Sequence, residues 1–448
     1  MANQSEASGV HFNDFVPLPF RILFIIQLGV YLWYSIIYLC TFYSRLNILE
    51  LLNLSYSSHN YTQLDRRLPS TGEYETTIPA ERIENQLLLK GVWTTLRSIT
   101  LYNFVGYCLY LVIQLKYDDP EQEKQNAIVS FLYKMIPVVV FLYLFFKVFY
   151  QSGSKTNAKS VGQYRVYTTI KRILLGRINS TTMRTNDILI SDTLTSYGKV
   201  INDFGLFVWA NYYKSESPYN IKLEFIILCI PTFIRIKQCW YEYSSTKNML
   251  HFFNMVKYTT AIGPLIINLL IKMTLQTLSP DNNEQLKEDE VLVRLTKLNA
   301  WWYFCSVLNS TYTFIWDVKM DWGFGLFDIF FKANKIRNYT LLRPSHQLVY
   351  GNIIGYYCVI LIDFILRFLW IFRLFITNEV ENRFMVNKLG AFLFGSDSFS
   401  LGYVVVEVLE IFRRWLWCFI KLESDWVKLQ VTINPDDVEM TNIDKRDT

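Results

Sequence analysis

The sequence predicts an all-α protein, a polytopic transmembrane helical bundle of about nine spans (eight to ten). Three observations predict it. Apolar residues gather in runs of about 20 or more, the length a helix needs to cross a hydrocarbon core about 30 Å thick. Only 19% of the 448 residues are charged, against about a quarter in soluble proteins, while 51% are hydrophobic and 17% aromatic. Lys and Arg concentrate in alternate intervals between the runs, as they do in cytosolic loops of membrane proteins. This composition excludes intrinsic disorder, collagen and coiled coil.

The first run, 18–43, follows Pro17 and is too long and aromatic for a cleaved secretory signal. With no small-residue cleavage site behind it, an uncleaved first span is expected. Runs at 94–116 and 126–150 complete a three-span region, 1–150. A basic linker, 151–186, follows, and within it 161–178 reads as a basic amphipathic helix suited to a membrane surface. The fourth run, 187–213, is the weakest, because Asp192, Lys199 and Asp203 interrupt it. Runs at 221–241, 249–275, 297–316, 349–376 and 398–421 then complete a second membrane region, 187–423, before a short acidic tail, 424–448, expected to be flexible.

Loop charge orients the chain. Residues 1–17 carry no Lys or Arg, 44–93 and 317–348 are basic, 151–186 holds seven basic residues and no acid, and 276–296 is acidic. The N-terminus is therefore expected in the lumen and the C-terminus in the cytosol. Sequons at Asn53, Asn60 and Asn338 fall in loops assigned to the cytosol and are expected to stay unglycosylated.

The seven cysteines lie in or at the ends of apolar runs without metal-ligand spacing, and the four histidines, His11, His59, His251 and His346, form no pair on one helix turn. No metal, no cofactor and no enzymatic activity is expected. Nucleotide-binding glycine motifs are missing as well.

Ionisable residues inside spans are costly and point to a polar cavity. Here Asp192, Lys257, Asp317, Asp363, Arg367, Arg373, Glu407, Glu410, Arg413 and Arg414 fall in or at the end of five different runs. A bland reading stands beside each. Asp363 with Arg367, and Glu410 with Arg414, have the spacing of intrahelical ion pairs, and Lys257 can snorkel to an interface. As a set, the arginines suit a small oxyanion, because the guanidinium fork matches phosphate oxygens. Lys257, Arg367, Arg413 and Arg414 against Asp192 and Asp317 leave two positive charges, enough for a doubly charged phosphate if Asp363 and Glu410 are occupied elsewhere.

The stretches PTFIRIKQCWYEYSSTKNMLHFFNMVKYTT (231–260), STYTFIWDVKMDWG (310–323), LLRPSHQLVYGNIIGYYCVILIDFILRFLW (341–370) and EVLEIFRRWLWCFIKLE (407–423) resemble successive motifs of the EXS domain. Retrovirus-receptor-type phosphate exporters share it with the ER-retention-defective protein of yeasts, and the opening FVPLPFRILFIIQLGVYLW is more similar to the yeast branch. The resemblance implies phosphate contacts at Asp192, Lys257, Tyr258, Asp317, Arg367, Trp370, Arg413 and Arg414. Thr195 stands where exporters have Asn, and Thr195, Asp363 and Glu410 are implied in gating or pairing. The exporters' SPX module is not seen before the first span, so no inositol-phosphate gating is expected.

For the yeast branch the resemblance implies a Golgi transporter that returns lumenal phosphate, a by-product of glycosylation, to the cytosol and supports retention of lumenal ER proteins. The alternative is a non-transporting sorting scaffold that recycles Golgi glycosyltransferases. Expected partners are inorganic phosphate and membrane lipid, with a homodimer and a cytosolic adaptor of Golgi phosphoprotein type as protein partners to consider. Nucleic acid is not expected.

Overall fold

A computed structural model of the protein describes residues 12–44, 46, 48–52, 77–116, 127–149, 158–178, 184–213, 218–276, 285–326, 328, 341–375, 385–394 and 400–433. Among these residues the chain is helical, with no strand. The helices longer than one turn are α1 (Leu18–Tyr43), α2 (Thr77–Lys116), α3 (Ala127–Phe149), α4 (Ala158–Leu174), α5 (Arg184–Ser196) and α6 (Gly198–Val208). Then come α7 (Ile221–Thr246), α8 (Met249–Gln276), α9 (Gln285–Trp316), α10 (Ile353–Arg367), α11 (Met385–Phe394) and α12 (Leu401–Ile433).

Among the described residues each of the nine runs contains helix, the eighth starting it only at Ile353. Three segments, Leu18–Cys40, Leu89–Lys116 and Met249–Gln276, are long and apolar enough to cross a membrane by length and composition alone. The fourth run is not one helix: Tyr197, at φ −94° and ψ 9°, separates α5 from α6. The short α5 buries Asp187, Ser191, Asp192 and Ser196 within the bundle, which explains its weak hydropathy.

Helix ends follow from local chemistry. Asn220 caps α7 by accepting from the backbone N–H groups of Lys222 and Leu223, at 2.9 and 3.4 Å, and Asn352 caps α10 by accepting from Ile354 N at 3.0 Å. Lys247 ends α7 in the left-handed conformation, φ 56°, so α8 folds straight back along it as a helical hairpin. A π-helical turn, Asp317–Asp321, extends α9, and Gly323 at φ 71° redirects the chain beyond it. Gly402 marks a close approach: a Cβ there would lie 1.7 Å from the Phe392 carbonyl oxygen of α11.

Packing divides into two styles. Helices α1, α2 and α3 meet through Phe20, Leu23, Tyr110 and Val140, with Phe20 edge-on to Tyr107 and Tyr110 at 5.6 and 5.1 Å between centroids. A larger core around Trp322, Trp417, Phe324 and Tyr356 joins α12 to α1, α5 and α10. The basic segment 161–178 is helical as expected over α4, but its inner face is used. Thr169 and Ile173 are buried, and Arg172 donates to Asp187 of α5 at 2.5 and 2.7 Å.

One expectation is corrected at the C-terminus. Helix α12 continues through Glu423 to Ile433, so the first ten residues of the expected flexible tail are helical. The three sequons lie outside the described residues.

Candidate functional site

A cavity of about 280 Å³ opens between α5, α7, α8, α9, α10 and α12. Each wall residue is placed by a short stretch of local structure. Lys257 and Tyr258 come from the middle of α8, and Asn309, Ser310 and Thr313 from one face of α9. Asp317 is the first residue of the π turn, where the widened helix turns its carboxylate inward. Arg367 closes α10, and Trp370 sits on the 3₁₀ turn after it. Glu410, Arg413 and Arg414 come from α12. Arg413 lies about 18 Å along α12 from Leu401, roughly half the thickness of a hydrocarbon core.

The charges form a chain around the cavity. Lys257 Nζ stands 3.8 Å from Asp317 Oδ1 and 3.7 Å from Asp321 Oδ2. Asp317 accepts from Arg367, and Arg367 Nε donates to Asp363 at 3.0 Å. Asp363 also accepts from Arg413 at 3.2 Å. Arg413 in turn makes a forked contact with Glu410, at 2.6 and 3.0 Å. Ser196 Oγ donates to Glu410 at 2.8 Å and accepts from Arg414 Nε at 3.2 Å.

Arg414 differs from its neighbours. Its other contact is Thr195 Oγ1, at 3.4 Å, and its guanidinium lies 4.8 Å from the Trp417 ring centroid. Among the described residues no carboxylate oxygen lies within 4.0 Å of it, so its close contacts are hydroxyls and a ring face, while Asp192, Asp317 and Glu410 act on its charge from farther away.

Several sequence expectations change here. Asp363 and Glu410 are not occupied elsewhere: both hold Arg413. The pairing proposed between Glu410 and Arg414 is instead Glu410 with Arg413. The Asp363–Arg367 pair exists, but each partner is shared with a second helix, so it is not self-contained. Lys257 is buried and points into the cluster rather than snorkelling outward.

Asp192, expected at the substrate, stands behind the wall. It accepts from the Tyr258 hydroxyl at 2.5 Å and pairs with Arg235 Nε at 2.7 Å, and so fixes the tyrosine that faces the cavity. Thr195 lines the cavity, but its proton goes to the Asp192 carbonyl at 2.6 Å, leaving the oxygen to accept from Arg414. Trp370 Nε1 donates to Ser310 Oγ at 2.9 Å, which holds the indole against the wall.

Arg235 was missed in the sequence. It lies near the end of its run, where a basic residue reads as a membrane-edge anchor, and only its fourfold satisfaction by Asp192, Ser191, Gln238 and Tyr258 marks it as internal. The spacing IRIKQ, with Arg235 and Gln238 on adjacent turns, was the available signal.

The charge balance follows. The wall itself carries Lys257, Arg367, Arg413 and Arg414 against Asp317 and Glu410, the same surplus of two as expected, with Glu410 in the place of Asp192. Behind it, Asp363 and Asp321 offset that surplus, and Asp192 cancels Arg235. The cluster is therefore self-compensated when empty, yet presents a positive face to the cavity. An oxyanion entering it can exchange with carboxylates for the guanidinium forks, and meets Arg414 with no carboxylate to displace.

The chain matches the model of the EXS family over residues 16–427, beginning well before residue 187. It is 24% identical to Protein ERD1 homolog 1 of Schizosaccharomyces pombe over 444 residues, covering 95% of each chain. With Protein ERD1 of Kluyveromyces lactis it shares 25% identity over 324 residues, 67% of this chain and 72% of the relative. The Xenotropic and polytropic retrovirus receptor 1 homolog of Danio rerio is 34% identical over 208 residues, 46% of this chain but only 24% of that protein's length.

Proposed function

The chain belongs to the EXS family, and from that premise we propose that it is a Golgi membrane transporter carrying inorganic phosphate from the lumen to the cytosol. In this reading it returns phosphate released by lumenal glycosylation chemistry, and thereby supports glycosylation and retention of lumenal ER proteins. The observation that carries the reading is Arg414, a buried arginine on a cavity wall whose close contacts are hydroxyls and an indole face. A guanidinium so placed is prepared for an anion. The likeness to proteins named for ERD1, over nearly full length in one and about two thirds of this chain in the other, supports the retention role.

Phosphate enters from the side where α12 begins, with the N-terminus lumenal. Arg414 takes its oxygens first, because it has no close carboxylate contact to give up, and Lys257 follows by loosening its longer ion pairs with Asp317 and Asp321, at 3.8 and 3.7 Å. Arg367 and Arg413 then trade part of their contact with Asp317, Asp363 and Glu410 for the phosphate, and the carboxylates reclaim the arginines as it leaves. Such exchange keeps affinity modest, as a transport site requires. A protonated phosphate oxygen has Asp317 Oδ1 to donate to, a buried acceptor without a hydrogen-bond partner among the described residues.

Phosphate flux into proteoliposomes, run beside an Arg367→Ala, Arg413→Ala double variant checked for folding, tests the proposal. Flux in the wild type and none in a folded variant supports it. Folded wild-type protein without flux in either direction refutes transport and favours the sorting scaffold.

A further inference from the structure

A second buried charged group lies outside the phosphate cavity. Glu407 is on α12, one turn before Glu410 and so about 4.5 Å nearer the helix start. It is 1% exposed, and neither carboxylate oxygen has a hydrogen-bond partner among the described residues. The other carboxylates of α12, by contrast, are tied: Glu410 to Arg413 and Ser196, Glu423 to Arg343, Tyr356 and the Val349 N–H, and Asp425 to Lys421. Glu407 takes no part in the phosphate site described above.

The groups facing Glu407 come from α1, α6, α12 and the turn between α5 and α6, and they include the carboxylate of Asp203 on α6. From α1, Arg21 is committed to Asp203 of α6. From α6, Lys199 places its ammonium 4.9 Å from the Tyr403 ring centroid and has no carboxylate within 4.0 Å among the described residues. Tyr197 stands at the α5–α6 break, and Tyr403 and Glu410 share α12 with Glu407. An ionised carboxylate buried without a donor is costly, while the Lys199 charge beside it offsets part of that cost. The two protonation states are thus balanced against each other, as a reversible proton carrier requires. Intramembrane carboxylates of this kind mark proton relays.

We propose that Glu407 is a proton-binding site that couples phosphate movement to a proton, an inference that rests on the phosphate reading above. The carboxylate takes a proton from water on the side where α12 begins, forming one O–H bond. That bond breaks when the proton is released to water on the cavity side, and no electrons change hands. With Glu407 neutral, Lys199 keeps only the more distant offset of Asp203 and Glu410, and the positive potential one turn from the cavity rises, which favours phosphate entry. Release of the proton restores the balance and favours phosphate departure.

The test is labelled-phosphate uptake into proteoliposomes with acid outside and neutral inside, compared with symmetric neutral pH. Phosphate speciation alone changes uptake equally in any variant, so Glu407→Gln is measured beside the wild type. The wild type should show an acceleration larger by at least about fivefold than the Gln variant, and Glu407→Asp should recover part of it. Phosphate exchange at symmetric pH shows that each variant is folded and that its cavity works. Equal acceleration in wild type and Glu407→Gln overturns the coupling, and loss of symmetric exchange in Glu407→Gln overturns it too, by placing Glu407 in the phosphate site itself. Wild-type protein without any exchange refutes instead the phosphate reading.

Discussion

Helices α1 to α3 and helices α7 to α12 solve the same problem differently. The first group meets through rings and aliphatic side chains, with Phe20 and Leu23 against Tyr110 and Val140, and turns residues such as Leu101, Phe104 and Leu115 outward. The second group surrounds a chain of ions contributed by α8, α10, α12 and the π turn after α9. Inside a bilayer, apolar packing gains little from excluding water, because lipid tails are as apolar as leucine. An ion network there is far less replaceable, since removing one partner strands another charge. The difference teaches that stability in the first region is spread over many weak contacts, whereas in the second it is concentrated in a few residues, the same ones proposed to bind substrate.

The comparison breaks most visibly at Arg413, which holds both Asp363 and Glu410. Arg413→Ala should abolish phosphate flux and cost about 3–5 kcal/mol of stability, read as a marked fall in Tm in detergent. Retention of wild-type Tm would show that the two carboxylates find other partners. Phe20→Ala, in the other region, should lower Tm less than Arg413→Ala, because it loses packing in a lipid-like setting without stranding a charge. Its concentration for half-maximal flux should match the wild type, and a shifted value would mean that the two regions are coupled.

Arg414→Ala sharpens the contrast within the ionic region. Flux at low phosphate should fall about tenfold, equivalent to about 1.4 kcal/mol, while Tm changes little, since only hydroxyl contacts and the Trp417 face are lost. A large Tm loss would make Arg414 a packing residue. The smallest effect is expected at Thr195→Asn, which supplies an amide donor in place of a hydroxyl whose proton is already given to the Asp192 carbonyl. Phosphate-over-sulfate selectivity should change within about threefold, about 0.65 kcal/mol, in competition assays.

What was legible in the sequence divides along the same line. Apolar run length depends only on the chain itself, so α1, α2, α3 and α8 could be read directly. The break at Tyr197 was not read, although Gly198 follows it directly, because a single glycine within an apolar run does not by itself end a helix. Of the site, the arginines and Asp317 were visible as charges in apolar surroundings. Their partners were not, because the choice of Arg413 rather than Arg414 for Glu410, and the retreat of Asp192 behind Tyr258, depend on which helices converge. Arg235 escaped notice for the same reason: at a run's end, an interior arginine and a surface anchor have the same sequence signature.

The central claim is that this cavity binds phosphate through cations it leaves accessible. Equilibrium binding of labelled phosphate to purified protein, wild type beside Arg414→Ala, tests it most directly. The account predicts saturable binding in the wild type and a dissociation constant about tenfold weaker in the variant, with both proteins folded. Identical binding in the two proteins, or no saturable binding in folded wild type, would contradict it.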